Sequence, residues 1–390
     1  MNKNIIAISS PFAGEEEWLA TRESFETGWL TQGPKVAEFE RRFAEYHKAP
    51  FGIATTSCTT SLHLLLVAMG IGPGDDVLVP AFTWISTVNV ILYCGANPVM
   101  VDVDPKTNNV TPELLKLNVT DKTKAVIVVH LFGLCVDVAA VRQVLPSHVR
   151  IIEDAACATG ASINGDFAGT HSDAAAFSLH PRKVITTGEG GMILTRDAEL
   201  AELLTKLRNH GAEISEEARH LGPKPHILSD FNLLGFNYRM TDIQGAVGVV
   251  QLSRLKTLLC QRQQLASIYN DKLSKYDWLV LPFQGENIQH GWQSYVVHVL
   301  PEKAPLSRNQ IMEIMQEKGV STRPGTHAVH MQGYYLKHFG YKPEDFPGAQ
   351  HCHENAMAIP LHNKMTESDC NYIVNIFDLL NSSLESLCVE

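Results

Sequence analysis

The chain has 390 residues, with 32 Lys and Arg against 42 Asp and Glu, a formal net charge of −10. At about 150 residues per domain the length predicts two or three domains, or one large and one small. Hydrophobic residues make up 45% and charged residues 19%, which is globular composition and excludes extended disorder. The acidic balance speaks against nucleic-acid binding, which needs clustered Lys and Arg. No stretch reaches the ~18 apolar residues of a membrane span. The eight cysteines (58, 94, 135, 157, 260, 352, 370, 388) form no CxxC pair and no zinc spacing. No leader pattern precedes Ser9-Ser10-Pro11, so a cytoplasmic protein with reduced thiols and no metal is expected.

In chain order, Leu62, Leu65, Leu66 and Met69 make an apolar helical stripe ended by Gly70. Residues 77–79, 98–103, 125–130, 150–153, 174–177 and 192–195 read as strands. Most are near-continuous apolar runs, as in strands covered on both faces. Thr111-Pro112-Glu113 reads as an N-cap followed by Pro at the first helical position. Residues 197–208 are good helix formers, ended by Gly211. This alternation predicts an α/β fold: a large domain, 1–245, with a mainly parallel sheet sandwiched by helices. The character then changes. Residues 243–275 read as one long connecting helix or two, with Gly245 and Gly248 weakening the start. A strand at 294–300 and helices at 307–318 and 366–384 follow, the last with Thr366 and Asp369 as a loose capping box. This part, 246–390, reads as a smaller α+β domain.

Four stretches carry candidate chemistry. In Ser178-Leu179-His180-Pro181-Arg182-Lys183, continuing to Gly188-Glu189-Gly190-Gly191, a strand ends in a polar loop holding one Lys. Ligands on parallel sheets bind at such strand ends. Lys183 reads either as a solvated surface residue or as a Schiff-base lysine. Asp154, in Glu153-Asp154-Ala155-Ala156-Cys157, has three open readings: helix N-cap, metal ligand, or partner of a buried cation. Taken by itself this segment favours the N-cap. Thr55-Thr56-Ser57-Cys58-Thr59-Thr60-Ser61 packs six hydroxyls at a helix start, more than one cap requires, which suits an anion. Trp84 is either a core or interface aromatic or a stacking plate for a planar ring. Together these supply an imine lysine, a carboxylate, a phosphate cup and a stacking ring, the equipment pyridoxal phosphate needs.

Further segments complete a pattern: Gly28-Trp29-Leu30-Thr31-Gln32-Gly33-Pro34, Asn97–Asp104, Val129-His130-Leu131-Phe132-Gly133, Gly235-Phe236-Asn237-Tyr238-Arg239-Met240-Thr241-Asp242 and Thr322-Arg323-Pro324-Gly325-Thr326-His327. In this order they resemble the DegT/StrS family of pyridoxal-phosphate-dependent sugar aminotransferases, of aspartate-aminotransferase fold type I. The resemblance implies that Lys183 forms the Schiff base and then shuttles a proton, and that Asp154 pairs with the ring nitrogen. It implies that Trp84 stacks on the ring, and that Ser57, the Cys58 backbone, Thr59 and Ser178 hold the phosphate. It puts Asn237 on the phosphate of a neighbouring subunit, making a homodimer, and Thr31, Arg323 and His327 near the substrate. Cys157 stands where the family carries Gln or His, near the ring hydroxyl. The phosphate turn reads Ser-Cys-Thr in place of Ser-Gly-Thr or Ser-Ala-Thr. The implied reaction moves an amino group from glutamate to a keto-sugar of glycan or lipopolysaccharide synthesis, most often nucleotide-linked. An 8-oxo-3-deoxy-octulosonate without nucleotide is the alternative acceptor, since Arg323 suits a diphosphate or a carboxylate. The same scaffold would also suit a sugar dehydratase or a regulatory protein. Lys183, replaced by His in dehydratase relatives, favours transamination.

Overall fold

The computed structural model describes residues 5–214 and 228–387. Its centre is a seven-stranded sheet: β1 (Phe51–Thr55), β2 (Asp76–Pro80), β3 (Asn97–Val101), β4 (Thr123–Val129), β5 (Arg150–Asp154), β6 (Ala174–Ser178) and β7 (Gly191–Thr195). The spatial order is β1-β7-β6-β5-β4-β2-β3. Strands β2 to β6 pair in parallel. Strand β7 alone runs antiparallel to its neighbours, β6 and β1. β2, β6 and β7 are buried along their whole length, matching their uninterrupted apolar runs. Antiparallel neighbours need no crossover helix. The segment between β6 and β7 is therefore free to be a loop at the strand end, and it carries Lys183.

Strand β1 and the helices Glu15–Thr27 and Pro34–Tyr46 were not among the expected elements. β1 is short and contains Gly52, packed where a Cβ would lie 2.6 Å from the Glu40 carbonyl. The Glu15–Thr27 helix buries only Glu17 and Ser24, so it has no apolar stripe to read. Pro34–Tyr46 does have one, with Val36, Phe39, Phe43 and Ala44 buried behind Pro34 at its first turn. Full burial of Phe39 and Phe43 is worth roughly 1.5–3 kcal/mol each.

Over 243–275 two helices form, Asp242–Ser253 and Leu255–Leu273, broken at Arg254. Thr241 caps the first, accepting from the Gln244 N–H at 3.3 Å. Gly245 and Gly248 do not weaken this helix; they let it lie against Pro34–Tyr46. A Cβ on them would come 2.6 Å from the Val36 nitrogen and 2.7 Å from the Phe39 ring. The second helix joins two cores. Leu255, Leu258 and Leu259 pack with Phe43, Phe177 and Met240. Leu265, Tyr269 and Leu273 pack with Trp278, Tyr295 and Phe377 around a four-stranded antiparallel sheet. One strand pair crosses back: His327–Ala328 pairs with Phe82–Thr83, beside the large sheet.

Candidate active site

Strand register builds the first part of the site. Thr55 at the end of β1 and Ser178 at the end of β6 both face Gly191, the first residue of β7. A Cβ on Gly191 would sit 2.4 Å from the Ser57 backbone, so only glycine lets β7 approach the turn into the helix Cys58–Ala68. Ser57 caps that helix, accepting from Thr60 N–H at 3.1 Å. Most of the six hydroxyls are used locally: Thr55 with Ser61, Thr56 with Thr60, and Ser57 with Thr60. Among the described residues the Thr59 hydroxyl has no partner. With the N–H groups of Cys58 and Thr59, which have no intrahelical acceptor, and the Ser178 hydroxyl one strand away, it forms a cup of donors for an anion.

Asp154 ends β5 and is 5% exposed. It caps no helix, against the expectation for its segment, because the chain enters turns after β5. Oδ2 accepts from the Thr87 hydroxyl at 2.7 Å. Oδ1 accepts from the Ala156 N–H at 3.1 Å and faces the Cys58 thiol at 3.8 Å. Burial, then the Asp154 charge, push the Cys58 thiol well above its ordinary value. It stays protonated and also donates to the Ala176 carbonyl at 3.5 Å. Below the floor, Val136 N–H donates to His130 Nδ1 at 3.1 Å, which puts the ring proton on Nε2, 2.6 Å from Glu153.

Lys183 is held by its own N–H, which donates to the His180 carbonyl at 2.8 Å. Its Nζ donates to Cys157 Sγ at 3.3 Å. Burial works to lower the Lys183 pKa, but Cys157, Cys58 and Asp154 outweigh it and hold the ammonium above its ordinary 10.5. Lys183, Cys157, Cys58 and Asp154 thus form one cluster, with Thr87 attached to it. Thr87 had no assigned role in the sequence. It lies three residues after Trp84 on the helix Ile85–Tyr93, where nothing in the sequence marks it as facing a buried anion.

Trp84 is 57% exposed, its ring free to receive another. His327 meets it edge-on, with centroids 5.6 Å apart, because His327 pairs with Thr83 in the crossing strands. The other expected residues lie outside these contacts. Thr31 is exposed, and its carbonyl accepts from the Asp242 N–H at 3.0 Å. Asn237 is exposed and bridged through its backbone to Asn209. The nearby Arg239 donates to Asn209, at 2.7 Å, and not to Asn237. Arg323 is exposed on a short strand paired with Ala358, without a carboxylate partner among the described residues.

The donors fit pyridoxal phosphate: an anion cup with an unpartnered hydroxyl, a carboxylate facing the lysine cluster, and an exposed indole. Fold and site define a fold-type-I pyridoxal-phosphate enzyme. Comparison with known proteins carries this further. Residues 11–378 match the DegT/DnrJ/EryC1/StrS aminotransferase family. The spore coat polysaccharide biosynthesis protein SpsC of Bacillus subtilis is 35% identical, with 95% of this chain and 96% of that one covered. GDP-perosamine synthase of Caulobacter vibrioides is 36% identical, covering 96% and 97%. The PMP form of Spr1654 from Streptococcus pneumoniae superposes with a TM-score of 0.90 at 27% identity, over 99% of this chain and 100% of that one. The chain belongs to the DegT/DnrJ/EryC1/StrS aminotransferase family and is a pyridoxal-phosphate-dependent sugar aminotransferase.

Proposed function

We propose that this enzyme takes its amino group from glutamate and delivers it to a nucleotide-linked keto-sugar, acting in the cytoplasm as a homodimer. The observation that carries the acceptor is the exposed, carboxylate-free Arg323, four residues before the His327 that edges Trp84. A guanidinium so placed suits a diphosphate, which it can grip at two oxygens. A relative that makes GDP-perosamine fits the same acceptor class.

When bound, pyridoxal phosphate supplies a carbonyl that exchanges amines and a ring that takes up an electron pair from the adjacent carbon. The residues of the chain do the rest. Lys183 carries the cofactor, yields it to the incoming amine, and then moves the proton at the reacting carbon. Asp154 holds a proton at the ring nitrogen, itself kept in place by Thr87 and the Ala156 N–H. Thr59, Ser178 and the first-turn N–H groups at Cys58, capped by Ser57, hold the phosphate. Trp84 would cover the ring, and Cys157, against Lys183 Nζ, would line the same site. Thr31, Arg323 and His327 orient the sugar. Asn237 reaches the phosphate of the neighbouring subunit. The larger of two domains runs to about residue 245, and the rest brings Arg323 and His327.

The test is a paired assay with glutamate as donor. A nucleotide-linked keto-sugar is expected to yield 2-oxoglutarate and an amino sugar in equal amounts. Turnover only with a keto-octulosonate lacking a nucleotide would overturn the acceptor reading. Turnover only with a donor other than glutamate would overturn the donor.

A further inference from the structure

Cys157 is partly exposed and is the cysteine whose sulfur receives the Lys183 ammonium, at 3.3 Å. Cys58, beside Asp154, is buried, as are Cys135, Cys352 and Cys370. Hydroperoxides attack sulfurs that have thiolate character and solvent access. At Cys157 the geometry brings a lysine nitrogen to 3.3 Å from the sulfur and leaves the residue partly open to solvent. An oxidised sulfur is then itself attacked by a nearby amine, and the flexible four-carbon stem of Lys183 already ends against it.

We propose that Cys157 and Lys183 are a modification site at which a hydroperoxide closes a reversible sulfur–nitrogen bond, in enzyme whose Lys183 is not carrying cofactor. The protection by cofactor rests on the reading of Lys183 as the cofactor lysine. In the first step Cys157 Sγ attacks one peroxide oxygen. The O–O bond breaks, an S–OH group forms, and the thiol proton leaves with the other oxygen as water. Oxidation removes the Cys157 contacts that chiefly hold the ammonium and leaves burial, which favours the amine. In the second step Lys183 gives one proton to solvent, its nitrogen attacks sulfur, the S–O bond breaks, and hydroxide leaves with a further amine proton as a second water. Sulfur loses two electrons and peroxide gains them; the protein ends lighter by two hydrogens. A thiol reverses it: it attacks sulfur, Lys183 departs with a proton, and a second thiol releases Cys157 as the thiol. Gln or His, the family's usual residues here, cannot take the first step. The chain thus places an oxidisable group against the one amine that turnover requires.

The experiment treats full-length enzyme with hydrogen peroxide, once stripped of cofactor and once loaded, and maps peptides by mass spectrometry. The expected product joins the peptides of residues 157 and 183, lacks two hydrogens, and disappears with dithiothreitol. It should be roughly tenfold scarcer in loaded enzyme and absent from Cys157→Ser, which keeps the size of the side chain. A Cys58–Cys157 disulfide has the same mass loss but joins different peptides, and finding it instead would overturn the proposal. So would Cys157 oxidised to the sulfinic acid beside an unmodified Lys183. Borohydride reduction of loaded enzyme tests the underlying reading separately: cofactor fixed to another lysine would remove the protection argument, while the cross-link in stripped enzyme still stands or falls by its own peptide.

Discussion

Asp154 is a carboxylate with two differently occupied faces. Thr87 takes Oδ2, while the Ala156 N–H and the Cys58 thiol meet Oδ1. The hydroxyl and the N–H fix the direction in which the carboxylate points, and the Cys58 sulfur packs against its second oxygen. Lys183 and Asp154 were legible in the sequence because each sits at a strand end in a recognisable run. Thr87 was not, because a Thr inside a helix reads the same whether it faces solvent or a buried anion. The hydroxyl cluster was legible only in bulk from its own residues and Thr59 only through the resemblance; the structure adds that the other five hydroxyls are engaged locally. Asp154→Asn is expected to lower kcat by two orders of magnitude or more, and Cys157→Gln by far less, since only the first removes a charge. Thr87→Val removes one hydrogen bond to a charged group, worth about 1.5–3 kcal/mol. It should weaken cofactor binding roughly tenfold or more, read by absorbance titration, and Thr87→Ser, which keeps the hydroxyl, should restore it.

Among the elements, the helix Asp242–Ser253 does more than connect. Asp242 Oδ1 accepts from the Val36 N–H at 2.9 Å, and the Asp242 N–H donates to the Thr31 carbonyl. Gln244 donates to the Glu189 carbonyl at 2.7 Å. Gln251 accepts from the Thr186 N–H at 3.2 Å and donates to the Phe12 carbonyl and to Glu17. One helix face therefore pins both the N-terminal arm and the loop that follows Lys183. A run of helix formers without Pro announced the helix; its two glycines argued against it until the close approach to Pro34–Tyr46 explained them. None of the partners was legible, because each lies 55 or more residues away. Gln251→Leu would leave the buried Thr186 N–H without its acceptor and take a donor from the buried Glu17 carboxylate. A loss of about 3 kcal/mol is expected, with faster hydrogen exchange at 186–190. Exchange unchanged in that loop would show that Gln251 supports only the N-terminal arm.

For the whole molecule, buried histidines weigh on the response to acid, three of them most strongly. Burial lowers His47 to about 4, against the opposing pull of its bond to the Phe43 carbonyl. Burial lowers His290 to about 3, and burial and then His351 lower His298 to about 4. Each is neutral when folded, whereas in the unfolded chain it titrates near 6.5. The unfolded state thus binds more protons between those values, and stability falls as pH drops from 6.5 towards 4. The loss at His47 is about 3 kcal/mol at pH 4. His47→Gln keeps a donor for Phe43 and an acceptor for the Gly160 N–H. It should flatten the fall of the urea midpoint between pH 6.5 and 4; an unchanged slope would mean that His47 is charged in the fold. Assembly has its own test. Asn237→Asp should weaken cofactor binding by repelling a phosphate, and mixing it with Lys183→Ala should recover activity that neither parent shows. No recovery after confirmed subunit exchange would place Asn237 in its own subunit's site. The α/β architecture was legible from the alternation of strand and helix runs. The antiparallel strand β7 was not, because an apolar run carries no sign of its direction.

That strand has a consequence for how the protein is made. β1 is the first strand to leave the ribosome, yet its ladder partner β7 begins 191 − 55 = 136 residues after β1 ends. β1 therefore has no ladder partner until five later strands have been synthesised. The anion cup shares this delay, since Ser178 and Gly191 arrive with the same late segment. A nascent chain stopped before residue 191 would leave the β7-facing edge of Phe51–Thr55 unpaired, open to chaperones or to another chain. Binding of phosphate by the cup should first become possible on the ribosome when that edge closes.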